Sequence, residues 1–449
     1  MVFTGMFKRI LGSEEAPQIS DNPFGDKGGA LVEAVSTEAS QQLAETPPIL
    51  LHRDEIIDER GRIAGYRFYA RTSNGGATSS GEFISLLRDE AVTATARRRL
   101  ALIPIALDEW ESHDYAQFAT ENTAYLLDTP RSEADADAWP RIVAAIAAAG
   151  ARYALRDAAL PPPAKALLPQ ARLFLIDFAA HDLSRFESIV KTLRQHVPSL
   201  KLAADRITTW TERRLCLSLG IDYCLGGFAS TPDEAEKNET INQSRLVLIE
   251  MLNLLRRDGE LADLAKVAKR DPGVSLQVVA MANSPMAGLS TPVASLDQAI
   301  MVLGRESLYR WLTFSMFRTE PQRDKDEALL ELALNRARFL ELSAQGILPK
   351  AQAEELFLVG LLSVMDALLG MPMAKVLEQM HLPQEVQDVL LRSEGRYGRY
   401  LMLALAMEKG RSEQVAKLAE DLGMDFTALP AHSAAALQWA QEAMEHNRG

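Results

Sequence analysis

Between Pro48 and about Ser230, short apolar runs alternate with amphipathic stretches. ILLHRDEII and IAGYRFYA flank the turn Glu59-Arg60-Gly61 and read as two paired strands. ALIPIAL, TAYLLD, ARYALRD, LFLID, LKLAAD and IDYCLGG read as short buried strands. Helical periodicity fills the gaps over Ala138–Ala149, Leu183–His196 and Thr209–Leu219. Strand and helix in alternation predict a parallel sheet, and this many units favour a closed α/β barrel of the TIM type. In that architecture chemistry sits at the C-terminal ends of the strands.

Beyond Ser230 the pattern changes. STPDEAEKNET, Ser230 to Thr240, is polar with no apolar period and reads as a linker. After it, strands give way to helices. Asp271-Pro272 supplies an N-cap and a first-turn proline for Val274–Ala282. Ser295 to Gln298 reads as a capping box for a helix ending at Gly304. Later helices are expected over Glu327–Ser343, Ala351–Leu369, Glu385–Ser393, Tyr397–Lys409, Gln414–Leu422 and Ala434–His446. The expected division is a disordered tail at 1–46, a barrel at 47–230, a linker at 231–240 and an all-α domain at 241–449.

Composition narrows the class. A chain of 449 residues with 47% apolar and 24% charged residues suits a soluble protein of two or three domains. A formal net charge of -13 argues against nucleic-acid binding. Arg97, Arg98 and Arg99 read as a solvated helix end. Cys216 and Cys224 lack CxxC spacing and read as buried free thiols in a reducing compartment. The apolar run Leu356–Met373 is broken by Ser363, Asp366 and Gly370-Met371-Pro372, so it reads as a buried helix, with no membrane insertion. Cytoplasmic localisation is expected.

The barrel segment resembles an EAL domain, the bacterial barrel that hydrolyses cyclic di-GMP. Arg62-Ile63-Ala64-Gly65-Tyr66 resembles its opening hairpin, and ADRITTWTERRLCLSLGIDYCLGGFAS its last helix and strand. Such an enzyme needs acidic and amide side chains to hold two divalent ions. Here the E-A-L-x-R motif becomes Arg67-Phe68-Tyr69-Ala70-Arg71. By the same resemblance, Pro104 replaces an Asn, Tyr125 or Leu126 a Glu, and Arg156-Asp157 an Asp pair. Leu175 replaces the Lys ahead of Asp177, Asp205 a Glu, Thr208 an acid and Leu225 a Gln. The acids left are Asp157, Asp177 and Asp205, while Arg67 and Arg156 add positive charge that repels a dication. If the barrel is a receptor, Arg67, Arg71, Arg156, Asp157, Asp177 and Asp205 are its expected ligand-binding residues. Otherwise those arginines pair with the leftover aspartates.

The helical half resembles an HDOD domain. Its marks are Asp271, Pro272, Ser275, Ala282, Asn283 and Ser284, then the turn from Pro292 to Leu296, Ala299-Ile300 and Leu303-Gly304. The order of the two domains resembles combined EAL/modified HD-GYP signalling proteins, whose core helix FLVGLLSVMDALLGMP resembles. HD enzymes need His-Asp ligands on packed helices. Ser363-Val364 stands in that place, and His381 is the sole histidine between 241 and 431. His113-Asp114 and His181-Asp182 fall in the barrel half and read as helix-cap residues. Asp366, in an apolar helix, is expected to be paired or neutral. Met281, Met286, Met301, Met365, Met371 and Met373 are expected in the core.

These readings lead to an expectation of a non-enzymatic signalling scaffold or adaptor in a pathway linked to cyclic di-GMP. No catalytic residue, metal or cofactor is expected. The partners are unspecified signalling proteins, with a homodimer open. A cyclic di-GMP receptor without activity is the alternative, and a cyclic di-GMP phosphodiesterase comes third.

Overall fold

The computed structural model describes residues 49–446 apart from 74–77, 90–91, 107–108, 129–132, 157–166, 237, 239, 284–292, 294 and 319–323. The tail at 1–46, Asp157, Ser284, Met286 and Pro292 therefore lie outside the described residues.

Strands β1 (Ile49–Asp58), β2 (Ile63–Thr72), β3 (Leu100–Ile105), β4 (Thr123–Leu127), β5 (Arg152–Arg156), β6 (Leu173–Asp177), β7 (Lys201–Asp205) and β8 (Tyr223–Leu225) close into a barrel in sequence order. All expected strands are present. β1 runs antiparallel to both its neighbours, β2 and β8, and every other pairing is parallel. Gly61 at φ 93 makes the hairpin turn, with Asp58 receiving the Arg60 and Arg62 backbone N–H groups.

Side chains alternate between two cores. Ile56, Leu100, Leu102, Ala124, Leu126, Ala154, Leu173, Leu175, Ala203 and Leu225 fill the interior. The outward residues form a larger core with the surrounding helices, including Tyr66, Phe68, Tyr125, Trp139 and Phe186. Two glycines mark close approaches. A Cβ on Gly65 would lie 2.0 Å from the Leu100 carbonyl oxygen, where β2 meets β3. Gly226, at φ 139, packs its Cα against Ile207, whose carbonyl oxygen would lie 2.0 Å from an added Cβ.

The chain divides into two compact units that cut across the linear domains. One comprises 49–239, 321–377 and 383–449, so it holds the barrel together with later helices. Ala328, Leu332 and Leu437 from those helices join the barrel's outer core. Among them, Asp324–Ala344 packs on Lys350–Leu362, where Gly360 leaves room for Ala337: a Cβ there would meet the Ala337 Cα at 2.3 Å. The other unit comprises 240–320 and 378–382 among the described residues. Its helices are Gln243–Arg256, Leu261–Ala268, Pro272–Ala282 and Leu296–Ser315. Asn253 ties residues 378–382 to this unit through Gln379 and His381. The linear division into 47–230 and 241–449 is retained as a proposal.

Several local expectations change. The helix expected to end at Gly304 kinks there, at φ 71, and resumes to Ser315. Ser295 accepts the Gln298 N–H, so half of the capping box is formed. The expected Ala351–Leu369 helix breaks at Ser363-Val364 into Lys350–Leu362 and Met365–Leu369. The segment read as a linker is pinned: Asp233 pairs with Arg214, and Asn238 bonds Leu369 and Gly370. Arg99 is no solvated helix end, because it meets the buried Glu331 at 2.7 Å. Asp182 caps its helix as expected, whereas Asp114 makes no capping bond. Met281, Met365 and Met371 are core residues, but Met301 is 68% exposed. Cys216 and Cys224 are buried free thiols.

Gly226→Ala combines a clash with a backbone angle that L residues avoid. It should destabilise the chain by about 2–3 kcal/mol in urea unfolding. A change below about 0.5 kcal/mol would contradict this packing.

Candidate functional site

Because β1 is antiparallel to β2, its N-terminal half lies beside the C-terminal half of β2. Asp54 is the register partner of Arg67, so an acid from β1 enters the barrel mouth. The Arg67 Nε donates to Asp54 Oδ2 at 3.0 Å, and a second nitrogen reaches the same oxygen at 2.5 Å. The remaining terminal nitrogen donates to Asp205 at the end of β7. One guanidinium thus bridges two strands on opposite flanks of β8 and β1. The three side chains are only 15–21% exposed. Burial works against the Arg67 charge, but the Asp205 and Asp54 carboxylates outweigh it and hold the group firmly protonated. Tyr69 stands beside the bridge and donates to Asp54 at 3.3 Å. Burial, then the Asp54 charge, pushes its hydroxyl well above the usual tyrosine range.

The other mouth positions sort by register. Asp177 pairs with Arg206, which reaches back from a left-handed backbone at φ 61. Asp205 also accepts the Arg206 backbone N–H at 2.8 Å. Arg156 approaches Asp128 at 3.6 Å, both about 40% exposed, and its Nε is buried without a hydrogen bond to any described residue. Arg71 is exposed, lies over the Tyr69 ring at 5.4 Å, and has no ion pair among the described residues. Leu126, Leu175 and Leu225 belong to the interior core, while Tyr125 points outward and donates to the Tyr115 carbonyl. Thr208 donates its backbone N–H and its hydroxyl to Glu212, in the first turn of the helix capped by Thr209. Among the described residues no group of three or more His, Cys, Asp or Glu is placed to hold a metal ion.

Of the site residues expected from sequence, the structure joins Arg67 to Asp205. It sends Asp177 to Arg206 and Arg156 to Asp128. Asp54 and Arg206 were missed. Asp54 could have been found from the hairpin register, since pairing across the Gly61 turn puts it opposite Arg67.

In the helices packed on the barrel, Ser363 stands where a His-Asp pair was sought. It accepts from Arg336 at 2.6 Å. Arg336 is buried and forks onto Glu408 with two bonds of 2.7 Å. An internal cation therefore occupies the surroundings of Ser363. Asp366 accepts the Ala367 backbone N–H, and burial holds its carboxyl above the usual range. That matches the expectation of a paired or neutral acid.

Residues 244–392 match the HDOD domain family. Cyclic di-GMP phosphodiesterase CdgJ of Vibrio cholerae is 25% identical over 294 residues, 65% of this chain and 68% of that protein. The Bacillus subtilis protein YuxH is 24% identical over 222 residues, 49% of this chain and 54% of YuxH. Among solved structures, the EAL enzyme Bd1971 bound to cAMP and cyclic di-GMP aligns with 14% identity and a TM-score of 0.33, covering 43% of this chain and 64% of that one. The Xanthomonas citri FimX EAL domain in complex with cyclic di-GMP aligns with 14% identity and a TM-score of 0.32, over 43% of this chain and 90% of that one. At those TM-scores the two structural likenesses do not bear on function. The chain spans about half of YuxH and under two thirds of Bd1971. The described helices contain no span long and apolar enough to cross a membrane.

One expectation is corrected. The chain was expected not to be an enzyme, and its likeness to a protein named as a cyclic di-GMP phosphodiesterase overturns that. The inference had rested on an inventory of lost acids. That inventory omitted Asp54, and Asp157 lies outside the described residues.

Removing the Arg67 guanidinium leaves Asp54 and Asp205 facing each other without a cation. Arg67→Ala should cost about 2–3 kcal/mol in chemical unfolding, with Arg67→Lys in between. A loss under about 0.5 kcal/mol would show that the bridge carries little of the mouth's stability.

Proposed function

We propose, for a chain that joins an EAL-like barrel to an HDOD domain, that it is a signalling scaffold or adaptor in a cyclic di-GMP-linked pathway, acting through protein–protein contacts. The supporting observation is the arginine bridge. Arg67 occupies Asp54 and Asp205, and Arg206 occupies Asp177, so the mouth's carboxylates face internal cations. The link to cyclic di-GMP rests on the resemblance to CdgJ.

A second reading draws on Arg71. It is exposed beside an aromatic ring and without an ion pair among the described residues, a combination suited to a phosphodiester. A cyclic di-GMP receptor would engage Arg71 and Arg156 and would have to recruit Arg67, Asp177 or Asp205 from their present surroundings, while Asp157 lies outside the described residues.

Calorimetric titration with cyclic di-GMP, with and without calcium, separates the two. The adaptor reading expects no saturable heat at micromolar dinucleotide. Saturable binding that falls at least tenfold in Arg71→Ala would overturn it in favour of the receptor. A parallel assay for the linear dinucleotide records whether bound ligand is turned over.

A further inference from the structure

The face of β1 opposite Asp54 carries a second polar site. Glu55 points into a cleft between β1 and the helices Asp324–Ala344, Gly398–Glu408 and Leu429–His446. Leu51, Phe339, Ala404 and Met407 supply apolar walls, and Arg53, Asn335, Arg336, Glu408 and Ser433 supply polar groups. Most of these polar groups are already engaged. Arg53 bonds Asn335 and Ser433 at 3.0 Å, and Arg336 is forked onto Glu408. Among the described residues the Glu55 carboxyl accepts from its own backbone N–H and makes no hydrogen bond to another side chain, and it lies beside Glu408, whose charge raises its proton affinity.

The charged and titratable groups around it are few. His52, Arg53 and Asp54 come from its own strand, Tyr66 from β2, Arg336 from the 324–344 helix and Glu408 from the 398–408 helix. The 429–446 helix contributes the neutral Ser433 to the cleft. Asp366 also acts on the charge of Arg336. Arg336 is therefore shared among carboxylates, and its bidentate commitment is to Glu408.

We propose that Glu55 is a proton-operated latch between the first barrel strand and the helices packed on it. With a proton, Glu55 is neutral, carries no desolvated charge and becomes a donor beside Glu408. Without it, a second carboxylate faces Glu408 in a confined space and loosens the contact between β1 and the 398–408 helix. Burial first, then Glu408 and Asp54, lifts the carboxyl from its ordinary value to about 7, which brings the transition into the physiological range.

The sign follows from linkage. A raised carboxyl binds its proton more tightly in the folded chain. Stability due to Glu55 is thus greatest at low pH, falls from about pH 4.5 upward, and levels off above about 7. His52 on the same strand runs the other way, because burial lowers it to about 4 and the fold then favours its neutral form as pH rises. The wild-type profile alone mixes the two, so the comparison must be with a Glu55 variant.

The experiment measures urea midpoints of the full chain between pH 5 and 8 for wild type and Glu55→Gln. Glutamine keeps the shape and stays neutral. The wild type should lose stability relative to Glu55→Gln as pH rises, with the difference saturating above about pH 7. Parallel profiles would overturn the proposal. Selective carbon-13 labelling of glutamate carboxyls, assigned by the signal missing in Glu55→Gln, gives an independent readout. A Glu55 midpoint near 7 supports the latch, and one near 4.5 overturns it even if the variant folds poorly.

Discussion

The unit that contains the barrel depends on the antiparallel placement of β1 between β2 and β8. Asp177 and Asp205 reach the mouth from the ends of parallel strands. Reversing one strand brings its middle there as well. Strand alternation then sends Asp54 inward and Glu55 outward. Asp54 meets Arg67 in the mouth, and Glu55 meets the helical layer. Two adjacent carboxylates thus serve two sites, and the backbone between them is one peptide unit long.

The same strand is clamped along its outer edge. His52 reaches the Met407 carbonyl at 3.1 Å and Ser412 at 2.8 Å. Arg53 holds Asn335 and Ser433. On β2, Tyr66 donates to Glu331 at 2.6 Å, and Arg99 pairs with the same carboxylate. Each contact joins residues more than 230 positions apart in sequence. Burial makes them costly to break one partner at a time, which favours a single packing of these helices on the barrel. This arrangement explains why the helices after residue 321 group with the barrel and not with the four helices that precede them.

Much of the fold was legible in the sequence. Strand positions followed from short apolar runs, and the closed barrel followed from their number. Asp271 and Asp182 cap helices as read. What periodicity could not supply was partnership across long separations. Arg99 looked solvated because Glu331 is 232 residues away, and Ser363 was read only as a replacement for a His-Asp pair because Arg336 arrives from another helix. The mouth was half legible. Arg67 with Asp205 could be anticipated from the barrel frame, whereas Asp54 needed the hairpin register. The judgement that lost acids mean lost activity is overturned by the likeness to a protein named as a cyclic di-GMP phosphodiesterase; it had counted residues by motif alone.

Hydrogen exchange followed by mass spectrometry tests most directly whether β1 binds the barrel and its helices into one body. The account predicts that peptides from β1, from Asp324–Ala344 and from Gly398–Glu408 exchange through the same cooperative opening, at the same concentration of denaturant. Exchange of the two helices through a separate opening, well below that of β1 and β2, would contradict it.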